Sequence, residues 1–349
     1  MDFDQHQHYS PHIPASSTVS NVMLKVVLAL VPGIITYIAF FGWGVLVNII
    51  IAGIAALGSE AMAVALRRQP VAPTLMDGSA LVTAILLALA LPPHSAWWLI
   101  VVGTTFAIII AKQLYGGLGY NPFNPAMAGY VVVLISFPQE MTRWNPPLSL
   151  ADAPMSLLES FQYSLTGILP ERLDLDMISL ATPLDVMRTQ LDLGNSLDTI
   201  TTGNGIFGIV AGTGSEWVSL AFLAGGLWLL FERIIDWRIP ASLLASLLLL
   251  SGLFSLIDSS NFASPAFHLF AGATMLGAFF IATDPVSAST TPVGRLIFGA
   301  GCGILIYVIR TWGGYPDGIA FSVLLMNMAA PLIDYYTQPR VIGQQKNRS

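Results

Sequence analysis

Ten apolar stretches set the terms on which this chain can fold. They run over residues 23–41, 43–66, 78–96, 97–112, 125–138, 215–232, 240–257, 266–283, 295–310 and 318–335. A helix needs about 20 apolar residues to cross a hydrocarbon core of about 30 Å. Charged residues make up 10% of the chain, against roughly 25% in soluble domains. So little charge cannot cover that much apolar surface in water. The expected class is an all-α integral membrane protein of about ten transmembrane helices. The lone Cys302 lies inside an apolar run and reads as a small core residue. The first 20 residues are polar and acidic, unlike the basic start of a secretory signal. The first apolar stretch therefore reads as a retained span.

Charge placement orients the spans. With the N-terminus inside, 10 of the 14 basic residues fall on the cytoplasmic side, and Arg143, Arg172, Arg188 and Arg310 fall outside. Cytoplasmic loops carry an excess of Lys and Arg. Trp97, Trp98, Trp144, Trp217, Trp237 and Trp312 stand near span ends, as in an interfacial aromatic belt. Residues 139–202 then lie on the periplasmic side, with nine acids, three arginines and no helix-length apolar run. The expected organisation is a cytoplasmic segment 1–22, a first five-helix half 23–138, a periplasmic loop 139–214, a second half 215–335 and a cytoplasmic tail 336–349.

An odd number of spans per half places any duplicated half upside down. Two weak echoes fit this. "LALALPPHSA" at 87–96 answers "FFIATDPVSA" at 279–288, and "GGLGYNPFNPAMAGYVVVL" answers "WGGYPDGIAFSVLLMNM". Interrupted helices at corresponding places in two halves point to a buried site. Asp284, Asn121 and Asn124 are therefore candidates for an ion path or a broken-helix site. The plainer reading makes them turn residues at helix ends. His94 and His268 fall near the outer ends of the third and eighth spans and define a second alternative, a b-haem anchor. His6, His8 and His12 have no ligand spacing. There is no Gly-rich phosphate motif and no Cys motif, so no self-contained active site is expected. A net charge of −6 offers nothing to nucleic acid.

The segment "SLATPLD" at 179–185 reads locally as a helix start. Thr182 is the N-cap, Pro183 the first helical residue and Asp185 the acid at the third position. A threonine hydroxyl is no nucleophile without help.

Taken together the motifs resemble the NqrB/RnfD family of membrane redox-pump subunits, its RnfD branch above the NqrB branch, which has a longer N-terminal region. The resemblance spans nearly the whole chain. It rests on "SPH" at 10–12, "AKQLYGGLGYNPFNPAMAGYVVVLISFP" at 111–138 and "SLATPLD". It also rests on "HLFAGATMLGAFFIATDPVSASTTPVGRLIFGA" at 268–300 and "GGYPDGIAFSVLLMNMAAPLIDYYTQPR" at 313–340. It implies a fold similar to urea and ammonium channels, in two inverted five-helix repeats. It implies covalent FMN, joined by a phosphoester to a threonine in an Asp-x-x-Ser-Gly-Ala-Thr motif and installed by a flavin transferase outside the cytoplasm. The matching residues are Asp176, Ser179, Ala181 and Thr182, with Leu180 in place of glycine. Arg172 and Arg188 are candidate phosphate contacts. A second, non-covalent flavin such as riboflavin is implied in the membrane part. The resemblance further implies a bacterial inner-membrane complex with RnfA, RnfB, RnfC, RnfE and RnfG. That complex exchanges electrons between ferredoxin and NAD and couples this to Na⁺ or H⁺ movement. The alternative is a solute channel or secondary transporter without flavin.

Overall fold

The computed structural model describes residues 18–151, 153–315 and 317–338. The N-terminal histidines, the "SPH" stretch and the basic tail from 339 lie outside the described residues. Among the described residues the secondary structure is helical, with two isolated bridges, Trp144 with Leu180 and Phe207 with Gly212.

In the first half α1 is Val19–Phe41 and α2 is Gly44–Leu66. Next come α3, Val71–Leu75, and α4, Ser79–Ala90. Helix α5 begins as Trp97–Thr105 and continues as a π-helix, Phe106–Lys112. Helix α6 is Pro125–Ser136. The loop segment carries α7, Leu157–Thr166, and α8, Pro183–Asp192. The second half holds α9, Ser215–Phe231, α10, Arg238–Ile257, and α11, Pro265–Phe270. Then follow α12, Thr274–Leu276 extended by a π-helix Gly277–Ile281, α13, Pro292–Trp312, and α14, Ile319–Thr337.

Six of these, α1, α2, α5 with its extension, α10, α13 and α14, are long and apolar enough to cross a membrane; α4, α6 and α9 are shorter apolar helices. Every apolar stretch becomes helix, but not every one becomes a full span. The stretch 78–96 stops at Ala90, because Pro92 and Pro93 cannot continue a helix. Twelve residues rise only about 18 Å. The stretch 266–283 divides in two around Ala271–Ala273.

One local rule starts four helices. Asn124, Thr182, Ser264 and Thr291 each cap a helix through the side chain, and each is followed by proline in the first turn. The cap satisfies an orphan backbone N–H, and proline there gives up no bond.

The breaks before α4 and α12 are built alike. Gly78 and Gly272 adopt positive φ, 78° and 61°, which glycine takes without steric cost. Beside the first, Lys112 donates to Glu60 and to Ser79, both at 2.6 Å. Beside the second, Arg310 donates to the carbonyl of His268 at 2.8 Å and to Thr274 Oγ1 at 2.9 Å. Charge counting uses Lys112 and Arg310, at the ends of the stretches 97–112 and 295–310, as markers of the two membrane sides, but both are buried. Their side chains are 2% and 1% exposed, and they meet backbone and side-chain groups that the breaks leave inside the protein. Of the tryptophans, Trp97, Trp217, Trp237 and Trp312 are exposed at helix ends. Trp98 instead meets Phe137 edge to face, 4.9 Å between centroids, and Trp144 lines a cavity.

The halves meet where α1 crosses α9. A Cβ on Gly225 would lie 2.0 Å from the Ala29 carbonyl oxygen, and one on Gly33 would lie 2.1 Å from Phe222. Small residues allow this approach, as is usual for helix contacts in lipid. Cys302 is fully buried.

Candidate functional site

Thr182 caps α8 as its local sequence dictates. Its Oγ1 accepts from the Asp185 backbone N–H at 3.2 Å. The residues before it are extended, and Leu180 N–H donates to the Trp144 carbonyl at 2.7 Å. That pairing holds the strand-like approach to Thr182 against the segment that follows α6.

Leu180, Ala181 and Thr182 line a cavity of about 390 Å³. Its walls come from both halves: Tyr37 and Phe41 of α1, Tyr130 of α6, Phe222 of α9, and Trp144, Tyr315 and Asp317 from connecting segments. Ligand pockets commonly enclose about 300–1,000 Å³, with mostly apolar walls and a few placed polar groups. Ala181 and Thr182 thus come together at the cavity, whereas Ser179 and Asp176 do not line it. The arginines do not line it either. Arg172 pairs with Glu159, Nη2 to Oε2 at 2.8 Å, and Arg188 faces Asp192 at 3.9 Å. The Arg172 guanidinium holds the Glu159 carboxyl down at about 2.

Two acids missed by sequence reasoning shape this site. Asp317 accepts from Ala273 N–H at 3.0 Å and from Arg310 Nη2 at 3.1 Å. It thereby covers the break before α12 and also faces the cavity. Glu216, in the first turn of α9, accepts from the backbone N–H groups of Ile209, Val210 and Ala211 at 3.3, 3.0 and 3.3 Å. The turn it organises brings Gly212 onto Pro183, where a Cβ would lie 2.2 Å from the ring. Asp317 was readable within "GGYPDGI" only as a turn residue, and Glu216 only as an acid near a helix start. Neither signal names a partner.

His94 is tied to the loop segment. Its Nδ1 accepts from Asn145 at 2.8 Å, and its Nε2 lies 2.9 Å from Ser160 Oγ of α7. Both ring nitrogens are engaged, so neither is free to ligate iron. Among the described residues no cluster of three His, Cys, Asp or Glu could hold a metal. Burial pushes the His94 imidazole down to about 4, against the usual 6.5. An opened form binds a proton below pH 6.5 that the closed form refuses until about pH 4. Closure is therefore at full strength above 6.5 and weakens as pH falls through this window. At pH 5 the loss is about 1–2 kcal/mol, discounted for the ring's partial exposure. Amide exchange of residues 156–167, corrected for intrinsic pH dependence, should speed up roughly 5- to 30-fold between pH 7.5 and 5. In His94→Gln the pH dependence should vanish. Equal protection at both pH values in the native protein would contradict the link.

Asp284, Asn121 and Asn124 do come together, at a second cavity of about 110 Å³ that also touches Ser79 and Lys112. Asp284 Oδ2 accepts from Ser287 Oγ at 2.7 Å and Oδ1 from Val286 N–H at 3.3 Å. Asn124 donates to the Ile281 carbonyl at 3.2 Å, and its own N–H donates to Asn327 Oδ1 at 3.0 Å. Asn327, in mid-helix in α14, in turn donates to the Ser287 carbonyl at 3.0 Å. The start of α6 is thus tied to the end of α12 across the two halves. Asn327 was not singled out from sequence, where one amide in an apolar run carries no directional signal.

Comparison with known proteins places this architecture. Residues 6–343 match the family described as NQR2, RnfD, RnfE. The chain belongs to the NQR2, RnfD, RnfE family. It is 53% identical to the D subunit of the ion-translocating oxidoreductase complex of Escherichia fergusonii, over 97% of this chain and 98% of that protein. The corresponding D subunits of Shigella dysenteriae serotype 1 and of Escherichia coli show the same identity and coverage. Within the NQR2, RnfD, RnfE family the cavity beside Thr182 becomes the feature to explain.

Proposed function

We propose that the chain is the D-type membrane subunit of an ion-translocating oxidoreductase complex and carries FMN as a phosphoester on Thr182. One observation carries the reading: Thr182 caps the N-terminus of α8 and lines a 390 Å³ cavity walled in part by aromatic side chains. The residues present fit the group. A helix N-terminus favours the negative charge of a phosphodiester. Tyr37, Tyr130, Trp144 and Phe222 offer flat apolar faces that exclude water from a planar ring. FMN, when bound, supplies one- and two-electron transfer, and the protein's part is to position and tune it. Asp317, fixed by Arg310, places a carboxylate at the cavity wall.

The remaining parts of the proposal rest on the resemblance to the RnfD branch. Electrons pass between ferredoxin and NAD, coupled to Na⁺ or H⁺, in an inner-membrane complex with RnfA, RnfB, RnfC, RnfE and RnfG. A flavin transferase modifies Thr182 on the periplasmic side, and both termini are cytoplasmic. The halves form inverted repeats of the urea-channel type. The matched breaks before α4 and α12, each covered by a buried cation from the next long helix, support that reading. A second, non-covalent flavin such as riboflavin belongs to the membrane part in the same reading. A solute channel shares the broken helices but leaves the aromatic cavity beside Thr182 without a purpose.

Denaturing gels test the proposal. The native subunit should fluoresce under ultraviolet light after SDS denaturation, since a phosphoester survives. A non-fluorescent band from an active complex would end the flavin assignment. Asp284→Asn should lower coupled ion transport while flavin content stays constant. Unchanged transport with normal assembly would leave Asp284 a turn residue.

A further inference from the structure

Helix α7 has three distinct sides. Ser160 and Ser164 are buried. Ser160 bonds His94, and Ser164 Oγ donates to the Ser95 carbonyl. Glu159, Gln162 and Thr166 form a polar side. On the third side Leu157, Leu158 and Leu165 fall within about 100° of the helix circumference. They are 41%, 79% and 46% exposed.

The level of this helix in the membrane is set by what it packs on. The 94–95 turn sits against Gly44, the first residue of α2, where a Cβ would lie 2.6 Å from His94 N. Trp43 and Trp97 flank that turn and are 41% and 44% exposed. Tryptophans at span ends mark the boundary between headgroups and acyl chains. A helix lying there, with one side on protein, one polar and one apolar, has the arrangement of an interfacial helix.

We propose that α7 lies in the bilayer interface, with Leu157, Leu158 and Leu165 inserted among the lipid acyl chains. The helix thereby fixes the loop segment to the membrane surface. Ser160 passes that position to His94, His94 to Asn145, and the adjacent Trp144 to Leu180 and the Thr182 cavity. The occupant is lipid rather than a partner protein because α7 packs on the 94–95 turn, at the level of Trp43 and Trp97.

Nitroxide labels on cysteines test this in membrane vesicles holding the assembled complex. Cys302 is fully buried, and unsubstituted protein taken through the labelling reaction gives the background. A label on Leu158→Cys should collide with dissolved oxygen, which concentrates in lipid. It should be shielded from a water-soluble nickel chelate, giving an oxygen-to-nickel ratio several-fold above that of a label on Gln162→Cys. Leu165→Cys serves where Leu158→Cys assembles poorly. A Leu158 label as open to nickel as the Gln162 label would place the helix in water and overturn the proposal. A label shielded from both reagents would show a protein cover and overturn it equally.

Discussion

Thr182→Val should give a subunit that inserts into the membrane at normal yield and shows no covalent flavin fluorescence. Valine preserves the shape of the side chain and removes the one oxygen that can form the ester. The structural cost is small. The Thr182 side chain makes one cap bond, 3.2 Å from Asp185 N, and losing such a cap costs about 0.5–2 kcal/mol. The backbone at this position is extended, φ −68° and ψ 156°, which valine adopts readily. Thr182→Ser should retain fluorescence, because it keeps both the hydroxyl and the cap. Ser179→Ala should also retain it, since Ser179 does not line the cavity. Fluorescence that persists in Thr182→Val, or a flavin peptide mapping elsewhere, would defeat the assignment.

A larger effect on the fold is expected from a single methyl group at the crossing of α1 and α9. In Gly225→Ala the new Cβ would sit 2.0 Å from the Ala29 carbonyl oxygen, with Phe280 at 3.3 Å behind it. A backbone carbonyl cannot turn aside as a side-chain tip can, so the helices must separate. Ordinary overpacking costs about 1–3 kcal/mol. Here the closest contact between the halves opens, and the loss should reach the upper end of that range or exceed it. The yield of monodisperse protein from detergent extracts should fall several-fold. Gly58→Ala provides the control, because a Cβ on Gly58 meets nothing within 4 Å. Equal yields from the two variants would show that α1 and α9 are not closely packed.

Much of this protein is written in local sequence. Hydropathy located every apolar helix, because a membrane helix satisfies its own backbone and needs little tertiary help. The "TPLD" cap, the buried Cys302 and the exposed tryptophans at 97, 217, 237 and 312 were readable for the same reason. Each depends on residues within a turn or two of one another. The helix start at Thr182 was legible as a cap, and its flavin role only through resemblance.

Contacts between distant segments were not legible. Charge counting placed Lys112 on the cytoplasmic side and Arg310 outside, at the ends of two stretches, whereas each is buried against a helix break in its own half. Their partners Glu60 and Asp317 stand 52 and 7 residues away. His94 read as a haem candidate, because nothing nearby announces Ser160 and Asn145, 66 and 51 residues on. The aromatic cavity is assembled from helices of both halves and the segments that connect them, none of which encloses anything alone. Sequence by itself determined where the apolar helices are, since that is a short-range backbone question. Tertiary structure decided which polar groups meet inside and where the cavity lies, because a buried polar group is satisfied by whichever neighbour the packing brings to it.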